Sequence, residues 1–237
     1  MNNTKVYELE VKVFLTKDMN CNESHEYIAE TIDKSLSRDG EHLEFHKENK
    51  FKYYCFNNLY PMEKDYLFKK GNIYTFRLRT VDHKLADYFN KVLINEYTSN
   101  MKILSIDNKV IPNNYLDKII TITPLVMKFE EGYWRGKEKV STVEKRIKNN
   151  LIKKYNSYYN TNISEDFELF LTFSFKNQKP IPSKYKNITL LGDKIEFKVS
   201  NSPMAQELFY FALGTGVGEL NSRGFGFINY LWLPKVS

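Results

Sequence analysis

The chain is poor in the residues that build cross-linked or metal-held scaffolds. Its 237 residues include two cysteines, Cys21 and Cys55, with no CxxC pair and no Cys/His cluster. A structural zinc site and a disulfide framework are therefore not expected, and a reducing compartment, the cytoplasm, fits. Long apolar runs are also missing. No stretch approaches the roughly 18 apolar residues of a membrane-spanning helix, so no membrane partner is expected. The opening MNNTKVYELEVKVFL has no basic region followed by an apolar run, which argues against a secretory leader. Histidine is scarce, at four, and of the ten glycines five crowd into residues 214–226.

What the chain has is an ordinary globular balance, 42% hydrophobic and 27% charged, over a length that suits one to two domains. The net charge of +6 is unevenly spread. Residues 1–115 hold 17 Lys/Arg and 17 Asp/Glu, whereas residues 116–237 hold 18 and 12. A one-sided basic surface favours a polyanion, because phosphate contacts release counterions; a Lys- and Asn-rich composition from an AT-rich genome would give the same excess. Tyr and Phe number 17 each. Rings beside basic residues suit single-stranded RNA, but most of these alternate along strands and read as core.

Periodicity gives the order of elements. Residues 4–15 read as a strand, 24–37 as a helix through Ile28, Ile32 and Leu36, 51–61 and 73–81 as strands, 83–94 as a helix, and 101–106 as a strand. The second half repeats the order: a strand at 118–129, a helix at 141–159, strands at 167–175 and 194–200, a helix from Pro203 to about Leu213 capped by Ser202, and a strand at 225–233. On the second-half helix, Lys145, Arg146, Lys148, Lys153 and Lys154 read as an outer basic face. Two βαββαβ units predict an α+β chain of two tandem ferredoxin-like (RRM-like) domains, 1–115 and 116–237. That fold hosts many functions and decides none by itself.

The most unusual segment is GTGVGELNSRGFGFI, residues 214–228. It is no P-loop, because no Gly-Lys-Ser/Thr follows. It is no dinucleotide fingerprint, because it leads from a helix into a strand. Its amides suit an anion nest, and its glycines suit a close turn between sheets. The segment from Gly216 to Gly226, with its Asn221-Ser222 pair and GFG ending, resembles the C-terminal glycine motif of the RAMP superfamily. It is most similar to the Cas6 family of CRISPR-associated endoribonucleases, which process precursor CRISPR RNA (pre-crRNA). FHKENKFKYYCFNNLYP at 45–61 resembles the first catalytic segment of that family. YLFKKGNIYTFRLRT at 66–80 resembles the strand pair after it, and ITPLVMKF at 122–129 the start of the second domain.

The resemblance implies a nuclease that uses no metal or other cofactor. A 2′-OH attacks the adjacent phosphate, leaving a 2′,3′-cyclic phosphate and a 5′-OH. It matches His46 to the catalytic histidine and Lys52 to the lysine facing the scissile phosphate; His42 is the alternative to His46. Where some members carry a tyrosine in the first helix, this chain has Thr31, and Tyr27 lies one helical turn earlier. It implies RNA across the cleft between the domains. Candidate contacts are Gly216, Gly218, Asn221, Ser222, Arg223, Gly224 and Gly226 in the loop, Arg135, Lys137 and Lys139 after Trp134, and Lys145, Arg146 and Lys148 on the helix. Partners are then CRISPR repeat RNA and its mature crRNA product, with other subunits of an effector complex and a homodimer left open. Three rivals stand beside it: a noncatalytic RAMP subunit holding guide RNA, an RRM-type module for which RGFGFINY at 223–230 is a partial match, and a protein whose loop only packs.

Overall fold

Alternation along β1 (Val6–Leu15) builds the first half. Leu9, Val11, Val13 and Leu15 are fully buried on one face, while Val6 and Glu8 are buried on the other. A strand buried on both faces needs a layer on each side, and this computed structural model supplies both. It describes residues 3–48 and 50–234, apart from the side chains of residues 41 and 45–47.

In chain order, β1 is followed by β2 (Met19–Asn20), α1 (Ser24–Leu36), α2 (Gly40–Lys47), β3 (Tyr54–Phe56), β4 (Leu67–Phe68), β5 (Ile73–Thr80), α3 (His83–Val92) and β6 (Met101–Ile111). The second half has β7 (Leu116–Thr121), α4 (Val140–Tyr159), β8 (Phe170–Phe175), β9 (Ile181–Tyr185), β10 (Ile188–Gly192), β11 (Ile195–Val199), α5 (Pro203–Thr215) and β12 (Ile228–Trp232). The two four-stranded antiparallel sheets run β3-β5-β1-β6 and β12-β7-β11-β8. Counted within each half, both have the strand order 2-3-1-4 or its reverse, which is the ferredoxin-like arrangement expected from the two βαββαβ units.

Several elements differ from expectation: β2, α2 and β4 are additional, and β6 runs past 106 to Ile111. Within the strand expected over 51–61 the ladder covers Tyr54–Phe56, after Tyr53 turns left-handed at φ 52°, and Tyr60 makes a separate bridge to Thr75. The strand expected over 118–129 ends at Thr121. Beyond it the backbone serves the glycine loop: Ile122 N–H donates to Phe227 O, and the carbonyls of Pro124 and Val126 accept from Gly226 and Glu219. The hairpin β9–β10 was not foreseen. It lies against α1, where Lys186 N–H donates to Glu26 Oε1 at 2.7 Å and Lys184 pairs with Glu23 at 2.8 Å. Ser202 stands at the N-cap of α5 as expected but makes no side-chain cap bond.

α5 is the piece between the sheets. From Glu207 to Thr215 every residue is buried, so no face of that stretch meets water. Burying Leu208, Phe209, Phe211 and Leu213 contributes about 1.5–3 kcal/mol each. Tyr210 OH donates to Ile111 O at 2.6 Å, tying α5 to the first sheet. A second tie is ionic. Glu8 and Arg79 face each other across β1 and β5, both buried, 2.6 Å apart. Arg79 also donates to Ile228 O on β12, at 2.6 Å. Losing one partner of such a pair would strand a buried charge. Among the described residues, no helix is long and apolar enough to cross a membrane.

Candidate functional site

The glycine loop is held by crowding before any ligand is considered. Gly216, Gly218, Gly224 and Gly226 all have left-handed φ, from 63° to 86°. At Gly226 an added Cβ would lie 1.9 Å from Val217 O; at Gly224 it would lie 2.9 Å from His25 Cβ. Only glycine fits such a conformation at such close approach. Inside the loop, Asn221 Nδ2 donates to the carbonyls of Val217 and Phe225, each at 3.0 Å.

The clamp on this loop comes from α4. Lys154 is 2% exposed, and its ammonium donates to Asn221 Oδ1 at 2.6 Å, Gly216 O at 2.8 Å and Thr215 O at 3.4 Å. Burial pulls its pKa down to about 7, against the pull of Cys55 and the Glu219 carboxylate. The sequence expectation put Lys154 on an outer basic face, and the structure corrects that. The signal was in the spacing: Lys154 follows Ile147 and Leu151 at i+7 and i+3, on the apolar stripe of α4.

Opposite the loop lie Glu48 and residues 50–54. Together they enclose a cavity of about 280 Å³, lined among others by Lys52, Tyr54, Lys154, Ser222 and Arg223. Tyr54 is buried, and burial pushes its pKa up. Arg223 pairs with Asp33 of α1; burial opposes its charge, but Asp33 outweighs that and raises its pKa. Lys52 Nζ donates to Glu48 O at 2.7 Å. Burial lowers its pKa, Glu48 opposes, and Arg223 adds to the fall. Two cationic side chains, Lys52 and Arg223, thus share one concave, partly desolvated space, which suits a phosphate.

The remaining expected residues divide. His46 falls in the last turn of α2, two residues before Glu48 of the cavity wall; its side chain lies outside the described residues. His42 is turned elsewhere, stacked on Tyr88 at 3.7 Å with Nδ1 3.0 Å from Asp39. Thr31 is fully buried and donates to Tyr27 O, and Tyr27 packs on the first-half core, so neither lines the cavity. Arg146 stays by the loop, 3.4 Å from Glu219 and stacked over Phe129. Arg135 is tied to buried Asp193 at 2.7 Å, Lys137 to Glu131 O, and Lys148 to the carbonyls of Glu165 and Phe167. These three brace the second half, whereas Lys139 and Lys145 stand exposed.

The geometry of the loop narrows two readings of it. The amides of Val217, Glu219 and Arg223 to Gly226 already donate within the protein, so these six are not offered to an anion. Phe225 and Phe227 are each 1% exposed and offer no ring face to a base, unlike the aromatics of an RRM platform. His25, on the far side of the loop, is a packing residue. Its Nε2 is 2.6 Å from Lys184 O, and its ring meets Phe225 edge-on.

Comparison with known proteins gives the same grouping. The family described as CRISPR associated protein Cas6, C-terminal, matches residues 106–230. A curated relative, CRISPR-associated endoribonuclease Cas6 2 of Methanocaldococcus jannaschii, is 23% identical over 93% of this chain and 99% of its own length. A solved CRISPR associated protein Cas6 superposes with a TM-score of 0.70 at 21% identity, covering 95% of this chain and 99% of its own. A structure described as a RAMP protein binding different RNA substrates gives 0.71 at 15% identity, covering 95% of this chain and 99% of its own.

Proposed function

This chain belongs to the Cas6 family, and from that premise we propose that it is a metal-independent endoribonuclease that cleaves CRISPR repeat RNA during pre-crRNA processing. The observation that carries the reading is the cavity between Glu48, residues 50–54 and the glycine loop, with Lys52 and Arg223 on its walls and the end of α2 leading into it.

In this reading the 2′-OH upstream of the scissile phosphate attacks phosphorus in line. His46 takes its proton as general base and returns a proton to the departing 5′-oxygen, which leaves as a 5′-OH. The other product is a 2′,3′-cyclic phosphate. Lys52 stabilises the added negative charge of the phosphorane, and Arg223 holds a neighbouring phosphate. Residues 1–115 supply the reacting groups and 116–237 most of the positive surface. Unpaired Cys21 and Cys55 suit the reducing cytoplasm.

The test is cleavage of labelled repeat RNA in EDTA, with a 2′-deoxy substitution at the mapped cut. Cleavage of the natural RNA and none of the deoxy RNA supports the reading. Tight binding with no cleavage of the natural RNA would overturn it in favour of a noncatalytic RAMP subunit.

A further inference from the structure

We propose that Lys154 is a positioning residue for RNA cleavage, setting the glycine loop so that Ser222 and Arg223 stand at the cavity wall. The inference rests on the function proposed above and adds a residue that its chemistry does not use.

An ammonium has three hydrogens and no acceptor. All three acceptors within reach of Lys154 lie in one short segment, Thr215 O, Gly216 O and Asn221 Oδ1. That segment has little conformational preference of its own, since glycine tolerates both signs of φ. Its anchor does. Lys154 extends from α4 where Leu151, Ile152 and Tyr155 are buried, so its stem starts from a fixed backbone. From Asn221 the constraint passes on directly. Asn221 opens the 3-10 turn Asn221–Arg223, and its amide nitrogen ties both arms of the loop, at Val217 and Phe225. Ser222 and Arg223 are the next two residues of that turn. Lys154 thus reaches the cavity twice, as part of its lining and through the turn that carries Arg223.

A small displacement of a phosphate-holding group costs rate out of proportion to its size, about 100-fold for 1 Å. The test is a double-mutant cycle on the full chain with Lys154→Met and Arg223→Ala. Cleavage is read on repeat RNA and binding on the 2′-deoxy repeat RNA. Lys154→Met is expected to lower kcat/KM about 100-fold in the wild-type background and less than about threefold on top of Arg223→Ala, because its effect passes through Arg223. A role confined to stability predicts additive losses, and additive losses would overturn the proposal. So would unchanged cleavage and binding by Lys154→Met. Should Lys154→Met fail to fold by circular dichroism, Lys154→Gln takes its place in the cycle with the same expected coupling. A wild-type chain that binds but does not cut would overturn the proposed nuclease, while the binding cycle on the same four proteins still decides the coupling.

Discussion

The two walls of the cavity are built in opposite ways. The glycine loop is over-determined: Gly226 sits where no Cβ fits, Asn221 ties both arms, and a buried lysine closes the knot. The facing segment combines a buried anchor, Tyr54, with charged side chains nearer the surface. Lys52 bonds to Glu48 O, and Lys50 pairs with Glu48 in the open. Exposed pairs of that kind contribute little to stability. The contrast suggests a division of labour. In the proposed function, the first wall would hold a phosphate backbone and the second would carry the groups that react.

That contrast can be broken from the rigid side first. Gly226→Ala drives a methyl into Val217 O at positive φ, and a loss of more than ~4 kcal/mol in a denaturant titration is expected. Asn221→Ala leaves the carbonyls of Val217 and Phe225 without their donor and takes the best acceptor from Lys154, so a loss of about 3 kcal/mol is expected by the same measurement. On the other wall the signature reverses. Lys52→Ala is expected to slow cleavage ~100-fold while stability moves by less than ~0.5 kcal/mol.

The smallest effect sharpens the comparison from behind the loop. Burial lowers the pKa of His25, partly offset by its bond to Lys184 O. The unfolded chain therefore takes up this proton before the folded one as pH falls. Stability from neutral His25 is present above the unfolded pKa of about 6.5 and is lost below it. The midpoint of thermal unfolding is expected to drop further between pH 7 and pH 5 in the wild type than in His25→Gln. Equal drops would remove His25 from the support of the loop.

These residues also mark how far the sequence could be read. The two sheets were legible because Tyr74, Phe76, Leu78 and Thr80 alternate against Arg77 and Arg79, and because Ile28, Ile32 and Leu36 repeat at helical spacing. The glycine loop was legible because its spacing is rare. The hairpin β9–β10 was not, since Pro182 and three lysines between 179 and 186 mask its alternation and its turn uses Lys186 at φ 53° instead of glycine. Lys154 is hidden by its charge: a lysine on an apolar stripe reads as solvated, whereas its carbonyl partners come from a loop about 60 residues away. Arg135 and Lys148 also bond to backbone carbonyls, partners that their charge alone does not announce.

The central claim is that binding and cleavage belong to different walls. Single-turnover cleavage by His46→Ala, with binding of the same repeat RNA measured in parallel, tests it most directly. The account predicts that cleavage is abolished while RNA affinity stays within about threefold of wild type, since His46 serves the proton transfer and not the phosphate backbone. Unchanged turnover in His46→Ala would contradict it.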